Sequence, residues 1–107
     1  MKVHWTDTAV DHLQAIYEYI ALSSPEYAQR VVDRLTRPSQ QIADFPLSGR
    51  MVPEAELGQI REVLEGPYRI IFYIKPDQID VIAVIPRGAA NSVEPVNLAN
   101  SIAHFRV

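Results

Sequence analysis

YRIIFYIK, residues 68–75, is the stretch that decides the fold, because β-branched and aromatic residues dominate it and predict a strand. QIREVL at 59–64 is a strand candidate before it, and IDVIAVI at 79–85 is nearly continuously apolar and predicts a strand after it. The links EGP at 65–67 and PDQ at 76–78 have the composition of tight turns. The three strands are therefore expected to form an antiparallel meander.

Two helices are predicted before the meander. The apolar residues of segment 7–22 recur at helical spacing, and Thr6 in front of it is a candidate N-cap. SPE at 24–26 has the composition of a second helix start, after which the apolar phase continues to residue 45. Because the link between them is short, the two helices are expected to form an antiparallel hairpin.

Pro38 lies inside the second helical run. Proline lacks a backbone donor and clashes with the carbonyl four residues earlier, so the helix should kink or break near Arg37. The apolar phase survives across the proline, which favours a kink. The segment that follows, residues 45–53, is rich in turn-forming residues and is predicted to be a loop.

The element order completes the fold prediction. KVHW at 2–5 alternates in polarity and predicts a short first strand, available to join an edge of the sheet. The chain is therefore expected to be an α+β domain of two layers, β-α-α-β-β-β, with a helical hairpin packed on a twisted antiparallel sheet. In the tail, residues 89–107, a narrow apolar stripe predicts a short helix near 95–105 that docks in cis or contacts another chain.

Length and composition exclude several classes of protein. A chain of 107 residues has the length of one domain, and 48% apolar with 21% charged residues is ordinary globular composition. The absence of cysteine excludes a disulfide framework and a cysteine nucleophile. The net charge of −3 argues against a diffuse nucleic-acid-binding surface. No stretch is apolar enough to cross a bilayer and no secretory signal is evident, so a cytoplasmic location without membrane contact is expected.

Arginine carries most of the positive charge, with eight arginines against two lysines. Four of the arginines lie on, or next to, strands that should be neighbours in the meander: Arg50, Arg61, Arg69 and Arg87. Such a group can bind a phosphate or an acidic partner. In the alternative interpretation each arginine pairs with a nearby acid such as Glu54, Glu62 or Glu65, in surface ion pairs of small energetic value.

Cofactor chemistry is not indicated. The three histidines lack the spacing of metal ligands, and there is no glycine-rich phosphate loop or cluster of aspartates. Nothing in the sequence marks a carboxylate as buried, so general acid–base catalysis is not indicated either. No cofactor and no metal are expected, and the residues by themselves suggest a small interaction module.

Several motifs follow one another along residues 2–88. They are W-T-x-x-A-x-x-x-L-x-x-I-x-x-Y-I at 5–20, S-P-x-x-A at 24–28, F-P-x-S-G-R-x-V-P-E at 45–54, R-E-V-L at 61–64, Y-R-I-I-F-Y at 68–73 and the strand at 80–85. In this order and at these distances they resemble the RelE/ParE superfamily of toxins from type II toxin–antitoxin modules. The resemblance implies a toxin domain at 1–88 with the RelE/ParE-like fold, and residues 89–107 as a tail of the same single domain.

The resemblance implies two possible activities. Ribosome-dependent members cut mRNA with basic and tyrosine side chains set in the sheet, whereas ParE-like members poison DNA gyrase without an established hydrolytic site. Arg69 matches the strand arginine of the nucleases and also occurs in ParE-like members. Pro86 stands where the nucleases place a basic residue or histidine, and no tyrosine follows Tyr73. These departures favour a ParE-like gyrase inhibitor that is not an enzyme.

Two alternatives stay open. In the first, the chain is a ribosome-dependent endoribonuclease in which Arg69, Arg61 and Arg87 hold the scissile phosphate as the catalytic residues. In the second, it is a non-toxic binding module that has kept a toxin fold.

The partners that the resemblance implies are a cognate antitoxin, DNA gyrase as target, and the ribosome in the nuclease alternative. The antitoxin is expected to lay an extended or helical segment in an apolar groove, with the two helices and the sheet edge as contact surfaces. A homodimer or a heterotetramer with antitoxin is a further expectation. The candidate partner-binding residues are Arg50, Arg61, Tyr68, Arg69, Arg87, Leu98, Ile102 and Phe105.

Overall fold

The strands predicted within residues 59–85 form the middle of a five-stranded sheet. The computed structural model describes residues 1–53, 55 and 58–87. Within them the strands are β1 Lys2–Trp5, β2 Arg50–Met51, β3 Ile60–Glu65, β4 Tyr68–Ile74 and β5 Gln78–Pro86. The helices are α1 Asp7–Ala21, α2 Pro25–Thr36 and α3 Ser39–Asp44, followed by a 3₁₀ turn at Pro46–Ser48. The helix predicted near 95–105 lies outside the described residues.

The strand order in the sheet is β1-β5-β4-β3-β2. The predicted antiparallel meander β3-β4-β5 is confirmed, with a two-residue turn at Gly66 and Pro67 in which Gly66 has a positive φ of 55°. β1 adds to the edge of β5 in parallel, so the complete sheet is mixed. The helices make this possible, because a parallel neighbour needs a long crossover connection.

Capping side chains fix where the first two helices begin. The hydroxyl of Thr6 accepts a hydrogen bond from the backbone N–H of Ala9 at 3.2 Å, as the candidate N-cap predicted. The hydroxyl of Ser24 does the same for Tyr27 at 3.1 Å, and Pro25 occupies the first turn of α2. The sequence therefore predicted both helix starts correctly.

Pro38 breaks the second helical run, and the predicted kink is wrong. α2 ends at Thr36 and a separate helix, α3, begins at Ser39. The backbone of Pro38 stays near helical values, with φ −62° and ψ −10°, which explains why the apolar phase survives. The missing N–H nevertheless interrupts the ladder of hydrogen bonds, which resumes when Ile42 donates to the carbonyl of Pro38 at 2.9 Å.

The region predicted as a loop before the meander also contains regular structure. Arg50 and Met51 pair with Glu62 and Arg61 of β3, which makes β2 a two-residue edge strand. Sequence pattern does not predict β2, because a strand this short has no periodicity.

Apolar side chains pack on both faces of the sheet. The larger cluster lies between the sheet and the helices, and its buried members are Ala9, Val31, Leu35, Ile42, Ile70, Phe72, Ile79, Val81 and Val84. The smaller cluster lies on the opposite face and contains Val52, Ile60, Ile71, Ile82 and Ala83. The expectation that the helix pair covers one face of the sheet is confirmed.

Side chains from the start of α1 continue the edge of β5 where β1 stops. The backbone N–H and the hydroxyl of Thr6 both donate to the carbonyl of Val81, at 3.1 and 3.0 Å. Further along, Nδ1 of His12 accepts a hydrogen bond from the backbone N–H of Val84 at 3.2 Å. Burial lowers the pKa of His12, while the charge of Asp11 partly raises it. His12 thus has a structural role at the interface between α1 and β5. Among residues 1–53, 55 and 58–87, none of the helices combines the length and the hydropathy that a membrane-spanning helix needs.

Candidate functional site

A carboxylate held between two guanidinium groups lies on the sheet face opposite the helices. Oε1 of Glu62 accepts from Nε of Arg50 at 2.5 Å, and Oε2 accepts from Nε of Arg69 at 2.6 Å. In the β2–β3 pair, Arg50 lies directly opposite Glu62. In the β3–β4 pair, Ile71 lies opposite Glu62, and Arg69 is two positions from Ile71 on the same strand. Long side chains reach one another across such a diagonal, so three strands contribute to one charged cluster.

Burial differs sharply among the three members of this cluster. Glu62 is 1% exposed and Arg69 is 4% exposed, whereas the side chain of Arg50 is 60% exposed. A charge removed from water is tolerated only with a partner of opposite charge, and Glu62 provides that partner for Arg69. Arg69 also makes a further interaction. The cluster is therefore a buried ion pair with a second arginine extending from it to the surface.

The expectation that no carboxylate is marked as buried is wrong for Glu62. A signal was present: in the strand pattern Glu62 shares a face with Ile60, and Arg69 shares the same face with Ile71. A charged residue on a face with buried isoleucines requires a partner, and the neighbouring strand offered one. Two of the four candidate arginines are thus paired with an acid, as the alternative interpretation held, but one of these pairs lies in the interior.

Arg61 and Arg87 lie apart from this cluster. Nε of Arg61 donates to the carbonyl of Gly58 at 2.8 Å, and its Nη1 donates to the carbonyl of Gly49 at 3.2 Å. Arg87 is exposed beside the β3–β4 turn, where its backbone N–H donates to the carbonyl of Pro67 at 2.7 Å. The structure therefore brings together Arg50 and Arg69 but does not gather all four arginines around one point.

A second candidate site is a cavity of about 390 Å³ beneath the β3–β4 turn. Its lining residues come from α1, α2 and the β3–β4 hairpin: Ile20, Tyr27, Val31, Arg34, Leu35, Glu65, Gly66, Pro67 and Tyr68. Burial raises the pKa of Tyr68, and the nearby Tyr27 acts in the same direction. Tyr68 therefore stays neutral at physiological pH. The phenols of Tyr68 and Tyr27 give the apolar wall of the cavity two groups that can form hydrogen bonds.

The remaining candidate partner-binding residues, Leu98, Ile102 and Phe105, lie outside the described residues. The described part of the chain has no group of three or more His, Asp or Glu side chains that could hold a metal ion. The described residues thus form two candidate sites. One is the ion cluster on the face opposite the helices, in which Glu62 already pairs with both arginines, and the other is the open, mostly apolar cavity on the helix side.

Comparison with known proteins identifies the family to which this fold and these motifs belong. Residues 3–90 match the family model described as the ParE toxin of the type II toxin–antitoxin system parDE. The chain belongs to the ParE toxin family. It is therefore the toxin component of a type II toxin–antitoxin system, within the wider RelE/ParE superfamily that the motifs resemble.

Two curated relatives of this ParE-family toxin are also named as toxins, and one of them bears the RelE name. Toxin RelE2 of Caulobacter vibrioides is 32% identical over 83 residues, covering 78% of this chain and 91% of the relative. A putative toxin, Y4kP, of Sinorhizobium fredii is 30% identical over 86 residues, covering 78% of this chain and 85% of the relative. The match extends over nearly the whole length of each relative.

Solved structures show the same fold. A chain from the chromosomal ParDE system of P. aeruginosa superposes with a TM-score of 0.62 at 28% identity, covering 80% of this toxin and 95% of that chain. A chain from the RelBE2 toxin–antitoxin complex of Mycobacterium tuberculosis superposes with a TM-score of 0.55 at 21% identity, covering 80% and 96%. The second likeness supports the fold alone.

Proposed function

We propose that this ParE-family toxin inhibits DNA gyrase in the cytoplasm and is held inactive by a cognate antitoxin. The observation that carries the proposal is the state of Arg69. This arginine is the first residue that a nuclease mechanism would require, yet it is buried and its Nε donates to Glu62 at 2.6 Å. A partly neutralised guanidinium in the interior is poorly suited to stabilising the charge that develops on a scissile phosphate.

The other two residues of the nuclease alternative also argue against a hydrolytic mechanism. Arg61 is engaged by the carbonyls of Gly49 and Gly58, and Arg87 lies at the β3–β4 turn. Phosphodiester cleavage needs its acid, base and cation within hydrogen-bond reach of one reacting group. Because the guanidinium groups of Arg61 and Arg87 already donate to backbone carbonyls, their arrangement supports a toxin that acts by binding rather than by hydrolysis.

The relatives support the antitoxin half of the proposal. The matched family is described by a toxin–antitoxin pair, parDE, and one solved chain of the same fold comes from a chromosomal ParDE system. A toxin that arrests growth by binding an essential enzyme needs a tight inhibitor during normal growth. We therefore expect a small antitoxin, encoded by a reading frame that adjoins this one, to form a stable complex with the chain.

The deciding experiment is pulse-labelling of DNA and protein synthesis in the minutes after the chain is induced alone. We expect DNA synthesis to stop first and co-expression of the antitoxin to restore it. Purified chain should then inhibit supercoiling of relaxed plasmid by gyrase.

Two results would contradict the proposal. Early arrest of protein synthesis, with mRNA cut on ribosomes, would establish the endoribonuclease alternative. Continued synthesis of both DNA and protein at full expression would make the chain a non-toxic binding module.

A further inference from the structure

β1 is an edge strand whose outer side has no neighbouring strand in the part of the chain that the structure describes. On its inner side it pairs with β5 over all four of its residues, in a regular register. The strand contains neither a proline nor a bulge, two of the features by which natural edge strands avoid pairing with another chain. Nothing in its own sequence therefore prevents a further strand from adding there.

The direction of its backbone groups follows from the alternation along the strand. The N–H of Thr6 points inward, since it donates to the carbonyl of Val81 on β5 at 3.1 Å. Successive residues direct their N–H and C=O groups to opposite sides, so those of His4 also point inward and those of Val3 and Trp5 point outward. No other described residue hydrogen-bonds to these outward groups. β1 thus presents two donors and two acceptors on its open side.

The side chains of β1 divide between the two faces of the sheet. Val3 and Trp5 pack against the apolar cluster on the helix side and are only half-buried. The indole N–H of Trp5 donates to Oγ of Ser39 in α3 at 3.0 Å, which fixes the orientation of its ring. Lys2 and His4 alternate with these residues, so they point to the opposite face, where both are exposed. An added strand would extend an apolar row on one face and a polar row on the other.

Opposite charges lie at the two ends of this edge. Lys2 begins β1, and Asp7, the first residue of α1, follows shortly after its end. Both are exposed, and neither forms an ion pair with another described residue. Lys75 and Asp80, which lie nearby on β5 and the turn before it, pair with each other at 3.2 Å. The edge is consequently positive at one end and negative at the other.

The hydrogen-bonding groups of such an edge match those of a second copy in the antiparallel direction. Pairing about His4 places Val3 opposite the partner's Trp5 and Trp5 opposite the partner's Val3, so every outward donor and acceptor of both strands is satisfied. A register shifted by two residues would place Val3 or Trp5 opposite a residue outside β1. Cross-strand contacts between an aromatic and a β-branched side chain also stabilise sheets.

The charges of the edge match in the same register. Lys2 then lies opposite the partner's Thr6 and beside the partner's Asp7, and the two-fold symmetry repeats this contact at the other end. A segment of another protein with charge of a single sign would be repelled at one end of the edge. Charge complementarity therefore favours a second copy of this chain as the occupant.

We propose that two copies of this chain associate through antiparallel pairing of their β1 strands, which joins their two sheets into one continuous sheet. The contact is symmetric, with His4 of each copy at the two-fold axis. A strand pair of this length buries less surface than a standard interface, so the dimer is weak and depends on concentration. The opposite edge of the sheet, at β2, stays outside the contact. The inference does not depend on the target of the toxin.

Sedimentation equilibrium of the purified full chain tests the dimer. We expect the average mass to rise with concentration from that of one chain toward that of two. Lys2→Glu and Asp7→Lys each place like charges at both ends of the interface, so each should raise the Kd for self-association at least about tenfold. Arg37→Glu and Asp33→Lys make the same changes in net charge on the exposed side of the helical hairpin, and both should stay within about twofold of wild type.

Mixing the two interface variants distinguishes a specific contact from a general effect of charge. In a mixed dimer of Lys2→Glu with Asp7→Lys, opposite charges meet again at both ends of the interface. The mixture should therefore dimerise with a Kd within about threefold of that of wild type. A wild-type chain that stays a single copy at every concentration would overturn the inference. So would interface variants that dimerise like wild type, or a mixture that does not associate.

Amide hydrogen exchange locates the contact without any substitution. The outward N–H groups of Val3 and Trp5 should exchange at least about tenfold more slowly at high than at low concentration of the chain. The N–H of His4 is an internal control, since it already points toward β5 in the single copy and should change much less. Protection of Val3 and Trp5 that appears only when the product of an adjoining reading frame is added would assign the edge to a different protein and overturn the inference.

Discussion

At the scale of single residues, the buried carboxylate of Glu62 compensates the charge of two neighbouring arginines. Its two carboxylate oxygens accept from two different arginines, and its own side chain is fully shielded from water. Burial of an ion pair contributes little net stability, but removal of one partner leaves the other charge desolvated. Arg69 therefore depends on Glu62, whereas Arg50 keeps most of its hydration.

Replacement of Glu62 by glutamine tests this dependence. We expect Glu62→Gln to lower the free energy of unfolding by about 3 kcal/mol, because Arg69 would lose its buried anionic partner. Glu65→Gln is the matched control on the same strand, and it should cost less than about 0.5 kcal/mol because Glu65 forms no ion pair with a described residue. Urea denaturation of the three proteins measures both values, and equal stabilities would contradict the role given to Glu62.

His12 makes stability depend on pH through a single hydrogen bond. Its Nδ1 accepts from Val84 only when it carries no proton, and burial lowers its pKa in the folded chain. The unfolded chain takes up the proton near the ordinary pKa of about 6.5, while the folded chain resists it. The stabilisation is therefore complete above that pH and is lost as the pH falls below it.

The expected measurement is a comparison of wild type with His12→Asn, whose side-chain oxygen is also an acceptor. The free energy of unfolding of wild type should fall more steeply between pH 7.5 and about pH 5 than that of the variant. The two curves should run parallel above pH 7.5. Parallel curves over the whole range would show that His12 does not couple folding to proton binding.

At the scale of elements, the sequence predicted those helices and strands that are determined by a local pattern of residues. The strand at 68–74 follows from β-branched and aromatic residues, and the two helix starts follow from Thr6 and Ser24 as caps. The break at Pro38 was harder to predict, because proline kept helical torsions and left the apolar phase intact. The Glu62 cluster depends on the register among three strands, which local pattern only suggests. The parallel placement of β1 depends on the path of the whole chain.

Gly49 joins the 3₁₀ turn to β2 at a place where the sheet leaves no room for a side chain. A Cβ there would lie 2.7 Å from Cζ of Phe72 and 3.1 Å from the carbonyl oxygen of Glu62. Phe72 is fully buried, so it cannot move aside freely. We expect Gly49→Ala to destabilise the chain by about 2 kcal/mol, as overpacking of a core does.

Gly58→Ala is the control for this prediction. Nothing lies within 4 Å of a Cβ at that position, and its backbone is not in the left-handed region. Its thermal midpoint should stay within about 2 °C of wild type, since a surface change of this kind costs less than about 0.5 kcal/mol. A Gly49→Ala protein as stable as Gly58→Ala would mean that Phe72 has more freedom than the packing suggests.

At the scale of the whole molecule, the sheet joins the first strand to the last one described. Thr6 and Val81, which meet where β1 ends, are 75 positions apart in the sequence. The β3-β4-β5 meander, in contrast, is built from neighbours joined by short turns. Closing a long loop carries an entropic cost that local hairpins avoid, so we expect the meander to form before β1 docks.

Folding kinetics can test this order. Val3 packs on the helix-side cluster from β1, and Ile70 belongs to the same cluster from β4. A loss of about 1 kcal/mol in Val3→Ala should appear as unfolding about fivefold faster, with refolding nearly unchanged. Ile70→Val should instead slow refolding about two- to threefold. Stopped-flow measurements in urea separate the two limbs, and slower refolding of Val3→Ala would reverse the proposed order.

The long separation in sequence between β1 and its partner strand β5 also has a consequence during synthesis. At 5–20 residues per second, roughly 4 to 15 s separate the translation of Thr6 from that of Val81, to which it bonds. During that interval α1 and α2 have no sheet to cover, and the apolar side of the hairpin is open to chaperones, proteases and any partner already present in the cell. The antitoxin that we propose can therefore begin to bind on the nascent chain, before the sheet that completes the fold has formed.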